Sequence, residues 1–316
     1  MPTGYYHQRN LQHTLNTLIG VSADLFQGSR IHRLSQRAKF LALALLNYTA
    51  IARMLGAKDG SALQDIILSR PETLGAVIWP YQCIGWTPAV RLNRIVEHFQ
   101  AVEQLGPLRF DINEAVRILA LDEVRSELAV VIDQPKWFMR EGQLSINLFQ
   151  SETRLYTLAF SLGLHAGQLV AYVGAIQGRD IPGALDAYRD ITKCAHGMRP
   201  RDLLIEIFRI LCTSIHVTRI FAIADEFRIH RSSYFGKDAS RKIHLNYNEI
   251  WEDRGGKRHD QMFYELPTRG QLRELDAIPQ KKRAMYRRRY EMLASIEARV
   301  NGRTWSTDRV PVELGS

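Results

Sequence analysis

Apolar residues recur at three- and four-residue spacing from about Arg9 to Gln104, the period of helices packed through one face. From Ser29-Arg-Ile-His-Arg33 a long pattern sets Leu34, Ala38, Leu41, Leu45, Tyr48 and Ala52 on one face and stops at Gly56. Asp59-Gly-Ser61 is placed to cap a second helix, and Ser69-Arg-Pro-Glu72 a third with proline at its first position. Trp79-Pro-Tyr81 and Trp86-Thr-Pro88 mark a turn. Helical spacing resumes from Val90 to Leu105 and ends at Gly106-Pro107.

From Ala129 the period changes to that of strands. Val130–Ile132, Trp137–Met139, Leu144–Phe149, Leu155–Phe160 and Leu169–Ile176 are separated by short turns such as Arg140-Glu-Gly142, which favours an antiparallel meander. The last of these opens a unit from Gly167 to Asp225. It runs as a strand, a polar helical stretch, the loop Ala195-His-Gly-Met-Arg-Pro200, a helix and the buried strand Ile220–Ala224. At about 100° per residue, Leu203, Leu204, Ile207, Phe208, Ile210, Leu211 and Ile215 fall within about 160°, a stripe wide enough to lie on a sheet. Glu206, Arg209 and Thr213 take the other side. A polar and aromatic segment follows Asp225, then a short helix around Asn246–Asp253, a strand over Gln261–Leu266 and a basic helix beyond about Pro279.

Composition narrows the class. The 316 residues are 46% hydrophobic and 24% charged, as in ordinary globular proteins. The apolar run Phe40–Leu46 is far shorter than the roughly 20 residues of a membrane span, and no apolar core follows a basic start as in a secretory signal. The expected location is cytoplasmic. Three cysteines, Cys83, Cys194 and Cys212, fit a reducing compartment without a disulfide framework. Of the net charge of +9, a balance of +5 lies in the last 49 residues. Attraction to nucleic acid or an anionic membrane would therefore belong to the tail.

The chain lacks the phosphate loop, the dinucleotide glycine motif, the zinc-protease His-Glu pair and the nucleophile elbow. Its ten histidines show no metal-ligand spacing, and no metal site is expected. The loop His196-Gly-Met-Arg-Pro-Arg-Asp202 is the strongest candidate site. Gly197 allows positive φ, Pro200 suits the first helical position, and the free amides with Arg199 and Arg201 would attract a phosphate. The alternative is a plain helix start whose arginines face solvent or Asp202. Past the end of the next strand, Asp225, Glu226, His230 and Tyr234 can each act as acid or base, or serve as capping and surface residues. On the C-terminal helix, Met285, Tyr286, Met292, Leu293 and Ile296 share an arc of about 100° that also contains Lys282 and Arg289. A docked helix is expected, with Arg289 reaching through the packed face to an acidic partner.

Three phrases carry a resemblance: His196-Gly-Met-Arg-Pro-Arg-Asp-Leu-Leu204, Tyr247-Asn-Glu-Ile-Trp-Glu-Asp-Arg-Gly-Gly256 and Ile278-Pro-Gln-Lys-Lys-Arg-Ala-Met-Tyr-Arg-Arg-Arg-Tyr290. They resemble the bacterial VirK/YbjX family, most clearly from Leu144 to Leu293. The resemblance implies a link to virulence, envelope stress and resistance to antimicrobial peptides, and supplies no catalytic residues. The order meander, glycine loop, helix, strand and aromatic segment also resembles the Gcn5-related N-acetyltransferases. That resemblance implies a loop at His196, Gly197, Met198, Arg199 and Arg201 holding the pyrophosphate of acyl-CoA. It also implies a leaving thiolate protonated by Tyr234. Of that family's glycine motif only Gly197 is present.

The expectation is thus an α+β protein. A helical N-terminal region spans 1–125, an acetyltransferase-like domain with a largely antiparallel sheet and packed helices 126–280, and a basic helix and tail 281–316. Its expected function is that of an acyltransferase-like protein whose ligand is acyl-CoA or another phosphate-bearing molecule. A non-catalytic binding or regulatory protein on the same fold is the alternative. Peripheral membrane contact is compatible with the chain; nucleic acid is disfavoured as a partner.

Overall fold

The computed structural model describes residues 11–26, 29–106, 108–236, 245–302 and 309–310. The N-terminal part is helical: α1 (Leu11–Leu25), α2 (Arg30–Leu46), α3 (Tyr48–Leu55), α4 (Ala62–Ser69), a 3-10 turn at Pro71–Val77, and α5 (Pro88–Leu105). Of the two caps expected from the sequence, the one at Ser61 acts; Ser69 caps nothing, because Pro71 opens a 3-10 turn behind Arg70, which makes no side-chain cap bond. Ser61 caps α4 by accepting the Gln64 amide at 3.3 Å. Thr87 caps α5 in front of Pro88. The long pattern after Ser29 does not make one helix. Asn47 returns its side-chain amide to the Leu43 carbonyl at 2.8 Å, and α2 meets α3 at 90°. Nor does the apolar stripe of α2 face the core: Leu34 and Leu45 are exposed, while Phe40 and Ala44 are buried.

Nine strands form one sheet among the described residues: β1 (Ala115–Ala120), β2 (Leu128–Asp133), β3 (Leu144–Gln150), β4 (Thr153–His165), β5 (Gln168–Gly178), β6 (Arg219–Ile223), β7 (Lys257–Arg258), β8 (Phe263–Leu266) and β9 (Arg309–Val310). Their order is β7-β8-β6-β5-β4-β3-β2-β1-β9. Each neighbouring pair is antiparallel except β5 and β6, which run parallel because α6 (Ala184–Cys194) and α7 (Pro200–Ser214) carry the chain back between them. The α+β class is therefore observed. The strands begin earlier than expected, at Ala115, and the expected strand Trp137–Met139 is a 3-10 turn at Lys136–Phe138 entered through Pro135.

The helix α7 lies on the sheet through Leu203, Leu204, Ile207, Phe208 and Leu211, all buried. Its opposite side is covered as well. The C-terminal helix α9 (Gln280–Asn301), which follows α8 (Tyr247–Asp253), packs across α7. Arg209 is buried there and donates to Glu206 at 2.8 Å and to the Arg254 carbonyl at 2.5 Å. The main hydrophobic cluster runs from Leu18 through the sheet to Val300. No single helix among the described residues is long and apolar enough to cross a membrane.

One irregularity positions the site. The β5–β6 ladder stops at Val173↔Ala222, yet β5 continues to Gly178. Beyond Val173 the two strands part. The gap is filled from α8: the Tyr247 hydroxyl donates to the Ile176 carbonyl at 2.9 Å and accepts from the Ile176 amide at 2.8 Å. Trp251 donates its indole N–H to the Ile223 carbonyl at 2.8 Å, and both rings are fully buried.

Candidate functional site

Helix α6 ends in a left-handed pair, His196 at φ +52° and Gly197 at φ +80°. The Gly197 amide closes on the Thr192 carbonyl at 2.7 Å and the Met198 amide on the Ala195 carbonyl at 3.0 Å. This leaves the His196 carbonyl turned outward, and Arg289 of α9 takes it through Nε and Nη2 at 3.1 and 2.7 Å. The expected acidic partner of Arg289 is thus replaced by a backbone carbonyl. A helix C-terminus offers unpaired carbonyls to a cation as readily as a carboxylate does. Arg289 and Met285 cover Gly197. Met198 is buried, while Arg199 is exposed at the N-cap of α7 with no side-chain cap bond. Arg201 pairs with Asp202 at 3.1 Å, and Arg254 stands 3.9 Å from the same carboxylate oxygen. Of the five loop residues, Arg199 is the cation open to solvent beside the amide end of α7.

The four residues after β6 have different partners. Asp225 opens a 3-10 turn. One of its oxygens accepts from Arg228 at 3.1 Å and from the Tyr247 amide at 3.2 Å; the other meets Arg231. Burial opposes its charge, but the hydrogen bonds from Arg231, the Tyr247 amide and Arg228 outweigh it and hold the carboxyl below its ordinary value. Asp225 therefore ties this segment to α8. Glu226 is largely exposed and accepts from Asn248 at 3.1 Å.

His230 stands elsewhere. Its Nε2 lies 2.9 Å from Oε1 of Glu141, whose side chain is 6% exposed against 40% for the imidazole. A carboxylate only accepts, so Nε2 is the donor of this bond and Nδ1 is the ring nitrogen left for another partner. Both residues line a cleft of about 480 Å³ with Trp79, Arg140, Phe235 and Lys136. The Arg140 guanidinium lies 4.5 Å from the Trp79 ring and 5.4 Å from both Tyr234 and Phe235, so Tyr234 reaches this rim through Arg140.

Backbone packing holds Glu141 in place. Gln82, itself in a left-handed conformation, donates its backbone amide to the Arg140 carbonyl at 2.7 Å. Its side-chain amide donates to the carbonyls of Glu141 and Tyr172 at 3.2 and 3.0 Å. Gly174, at the point where β5 leaves β6, lies directly against the Glu141 carbonyl, and a Cβ there would collide with it. The cleft thus opens beside the end of the parallel strand pair. Sequence reasoning found His230 and Tyr234 but missed Glu141, which it read as part of a turn. The signal available was an acidic residue directly before Gly142, a glycine with no room for a side chain against the Phe160 backbone. Among the described residues, no three His, Cys, Asp or Glu side chains gather as a metal ion would require.

The chain is similar to bacterial proteins described as uncharacterised. Over 172 residues it is 34% identical to "Uncharacterized protein YbjX" of Escherichia coli (strain K12), a match covering 54% of this chain and 51% of that protein. An "Uncharacterized protein" of Haemophilus influenzae is 34% identical over 210 residues, 64% of this chain and 67% of the relative. The chain thus spans about half the length of the Escherichia coli relative that it matches. No solved structure matches. The family model described as "Protein of unknown function (DUF535)" matches residues 29–302. With that match over most of its length, the chain belongs to DUF535, the VirK/YbjX family.

Proposed function

We propose that the protein is an acyltransferase whose reaction centre is the cleft at Glu141 and His230, taking an acyl thioester of the acyl-CoA class. The observation that carries this reading is the Glu141–His230 pair: a buried carboxylate 2.9 Å from an imidazole open to a cleft. Such a pair orients the ring, as a general base requires. Its position beside the end of the parallel strands agrees with where open sheets bind ligands. The envelope-stress role rests on the family resemblance of the three phrases quoted above.

The residues of the cleft suit such a donor. Trp79 and Phe235 offer an apolar wall, and Arg140 supplies a cation for an anionic end, Lys136 being paired with Glu72 at 2.5 Å. A bound acyl-CoA would supply an activated acyl carbon. His230 would take the proton of an acceptor amine or hydroxyl at Nδ1 as that nucleophile joins the acyl carbon, with Glu141 holding the imidazolium. As the carbon–sulfur bond breaks, the thiolate would take a proton, and Tyr234 is the hydroxyl on the rim.

A second reading, a binding or regulatory protein without chemistry, is favoured by one observation. The strand gap is closed by Tyr247 and Trp251, and the His196 carbonyl is covered by Arg289. Calorimetry and thermal shift with acetyl-CoA and a long-chain acyl-CoA, followed by assay of free thiol, separate the two. At 100 times its dissociation constant a ligand adds roughly 2.7 kcal/mol. For a chain of this length that is about 4 °C. The acyltransferase reading expects this shift, its reduction in Arg199→Ala/Arg201→Ala if the loop holds phosphate, and thiol release that His230→Gln abolishes. Binding without release supports the second reading, and no shift from either ligand removes the acyl-CoA donor.

A further inference from the structure

The helix α2 is amphipathic in an unusual sense: both of its faces are apolar, and only one is used. Phe40 and Ala44 are buried against the protein, with Phe40 6.0 Å from Phe26 of the preceding segment. Arg37 ties the helix to α1 by donating to Ser22 at 3.2 Å. On the other side Ile31 is 85% exposed, Leu34 55%, Leu45 49% and Leu46 81%. Ala38 and Ala42 are also exposed, and Leu41 is half-buried. At about 100° per residue these seven cover an arc of about 140° in which Ser35 is the polar residue. Arg30 and Arg37 border that arc on one side, Lys39 and His32 on the other, and α2 contains no acidic residue.

A helix of 17 residues is about 25 Å long. An apolar face of that length between two rows of cations is the pattern of a helix lying in a membrane interface, its apolar side in the acyl boundary and its cations at the headgroups. Charge selects this occupant over a second copy of the chain. Two copies packed through the same face would bring Arg30, Arg37 and Lys39 against their equivalents, with no acid in the helix to offset them. We infer that α2 docks in the plane of an anionic phospholipid bilayer. Ile31, Leu34, Leu45 and Leu46 enter the acyl boundary, and Arg30 and Lys39 meet the lipid phosphates. This surface is distinct from the Glu141–His230 cleft and from the basic helix α9.

The test is co-sedimentation of the full chain with vesicles of phosphatidylcholine, with and without one-third phosphatidylglycerol. Wild type is expected on the anionic vesicles and to be released by high salt. Leu34→Glu/Leu45→Glu should cut partitioning at least roughly tenfold. Its Tm should not change, because both side chains are exposed. Arg30→Gln/Lys39→Gln, which leaves the apolar face intact, should weaken binding and flatten its salt dependence. Arg287→Gln/Arg288→Gln on α9 should retain it. The inference is overturned if wild type ignores the anionic vesicles, if Leu34→Glu/Leu45→Glu binds like wild type, or if only the α9 variant loses binding. Self-association of wild type that Leu34→Glu/Leu45→Glu abolishes, without vesicle binding, overturns it in favour of a second copy.

Discussion

The hydroxyl of Tyr247 closes the strand gap through two hydrogen bonds to one residue, and its removal has a calculable effect. In Tyr247→Phe the ring remains, but the Ile176 amide and carbonyl, at 2.8 and 2.9 Å from the hydroxyl, lose their partner in a fully buried place. Each buried orphan costs about 1–3 kcal/mol, so the variant should lose about 2–6 kcal/mol. For 316 residues the entropy of unfolding places this at about 3–9 °C of Tm. The protein contains its own control. Tyr290 bridges the amide and carbonyl of Arg273 in the same way, both at 3.0 Å, but at the surface. Water replaces that hydroxyl, so Tyr290→Phe should cost less than about 1 kcal/mol. Differential scanning calorimetry of the three proteins decides the matter. Equal losses in both variants, or a loss of about 1 °C or less in Tyr247→Phe, would refute the claim that the buried gap depends on this hydroxyl. The same variant bears on function: if the gap is a ligand route closed by Tyr247, long-chain acyl-CoA should stabilise Tyr247→Phe more than wild type.

Four other outcomes follow from the geometry. Gly174→Ala should destabilise by about 1–3 kcal/mol, because a methyl group meets the Glu141 carbonyl, and should depress any activity of the cleft beyond the loss of folded protein. Arg289→Ala should lower Tm by uncovering the His196 carbonyl; an Arg289→Lys variant, keeping the charge but not the two-pronged donor, should recover only part. Asp225 is ordinarily a group of 3.8 and is held lower in the fold, so its stabilisation is complete above that value and lost as pH falls through the folded one. Asp225→Asn should therefore be most destabilised relative to wild type at neutral pH, the difference in Tm shrinking below about pH 4. His98 accepts the Leu162 amide at 3.0 Å and burial pushes its imidazole down to about 3 from 6.5. The unfolded chain takes up that proton first, so stability should fall with pH below about 6.5, and His98→Gln should flatten that limb of a Tm titration.

Secondary structure was readable wherever a local cause sets it. Ser61 announces a helix start through a hydrogen bond within a few residues and acts as such, and Asn246 caps the short helix expected there; Trp86-Thr-Pro88, which reads as a turn, supplies in Thr87 the cap of α5. The meander from β2 to β5 follows from strand period and short turns. The α7 stripe follows from angular spacing, and its buried face is the one expected. The errors share a cause. Trp137–Met139 has strand composition, but its ring neighbours decide: Trp137 stacks on Arg154 and Phe138 packs with Ala159 and Ala175, leaving the backbone in a turn. In α2 the apolar period was real, but a period cannot say which of two apolar faces meets the core.

The sequence by itself determined the α+β class, the helical N-terminal part followed by the β2-to-β5 meander, and the family to which the chain belongs, because all three rest on patterns within short stretches. The site was not so written. Glu141 and His230 are 89 residues apart and meet because Gln82 and Gly174 fix the turn at Arg140-Glu141, while Asp225 anchors the segment after β6 to α8. Their pairing is a long-range contact between two polar turns, and no hydrophobic period marks it. The same holds for the gap beyond Val173. A strand's length can be read from its residues, but where its neighbour ends, and which side chain then fills the space, is decided when the sheet and α8 pack together.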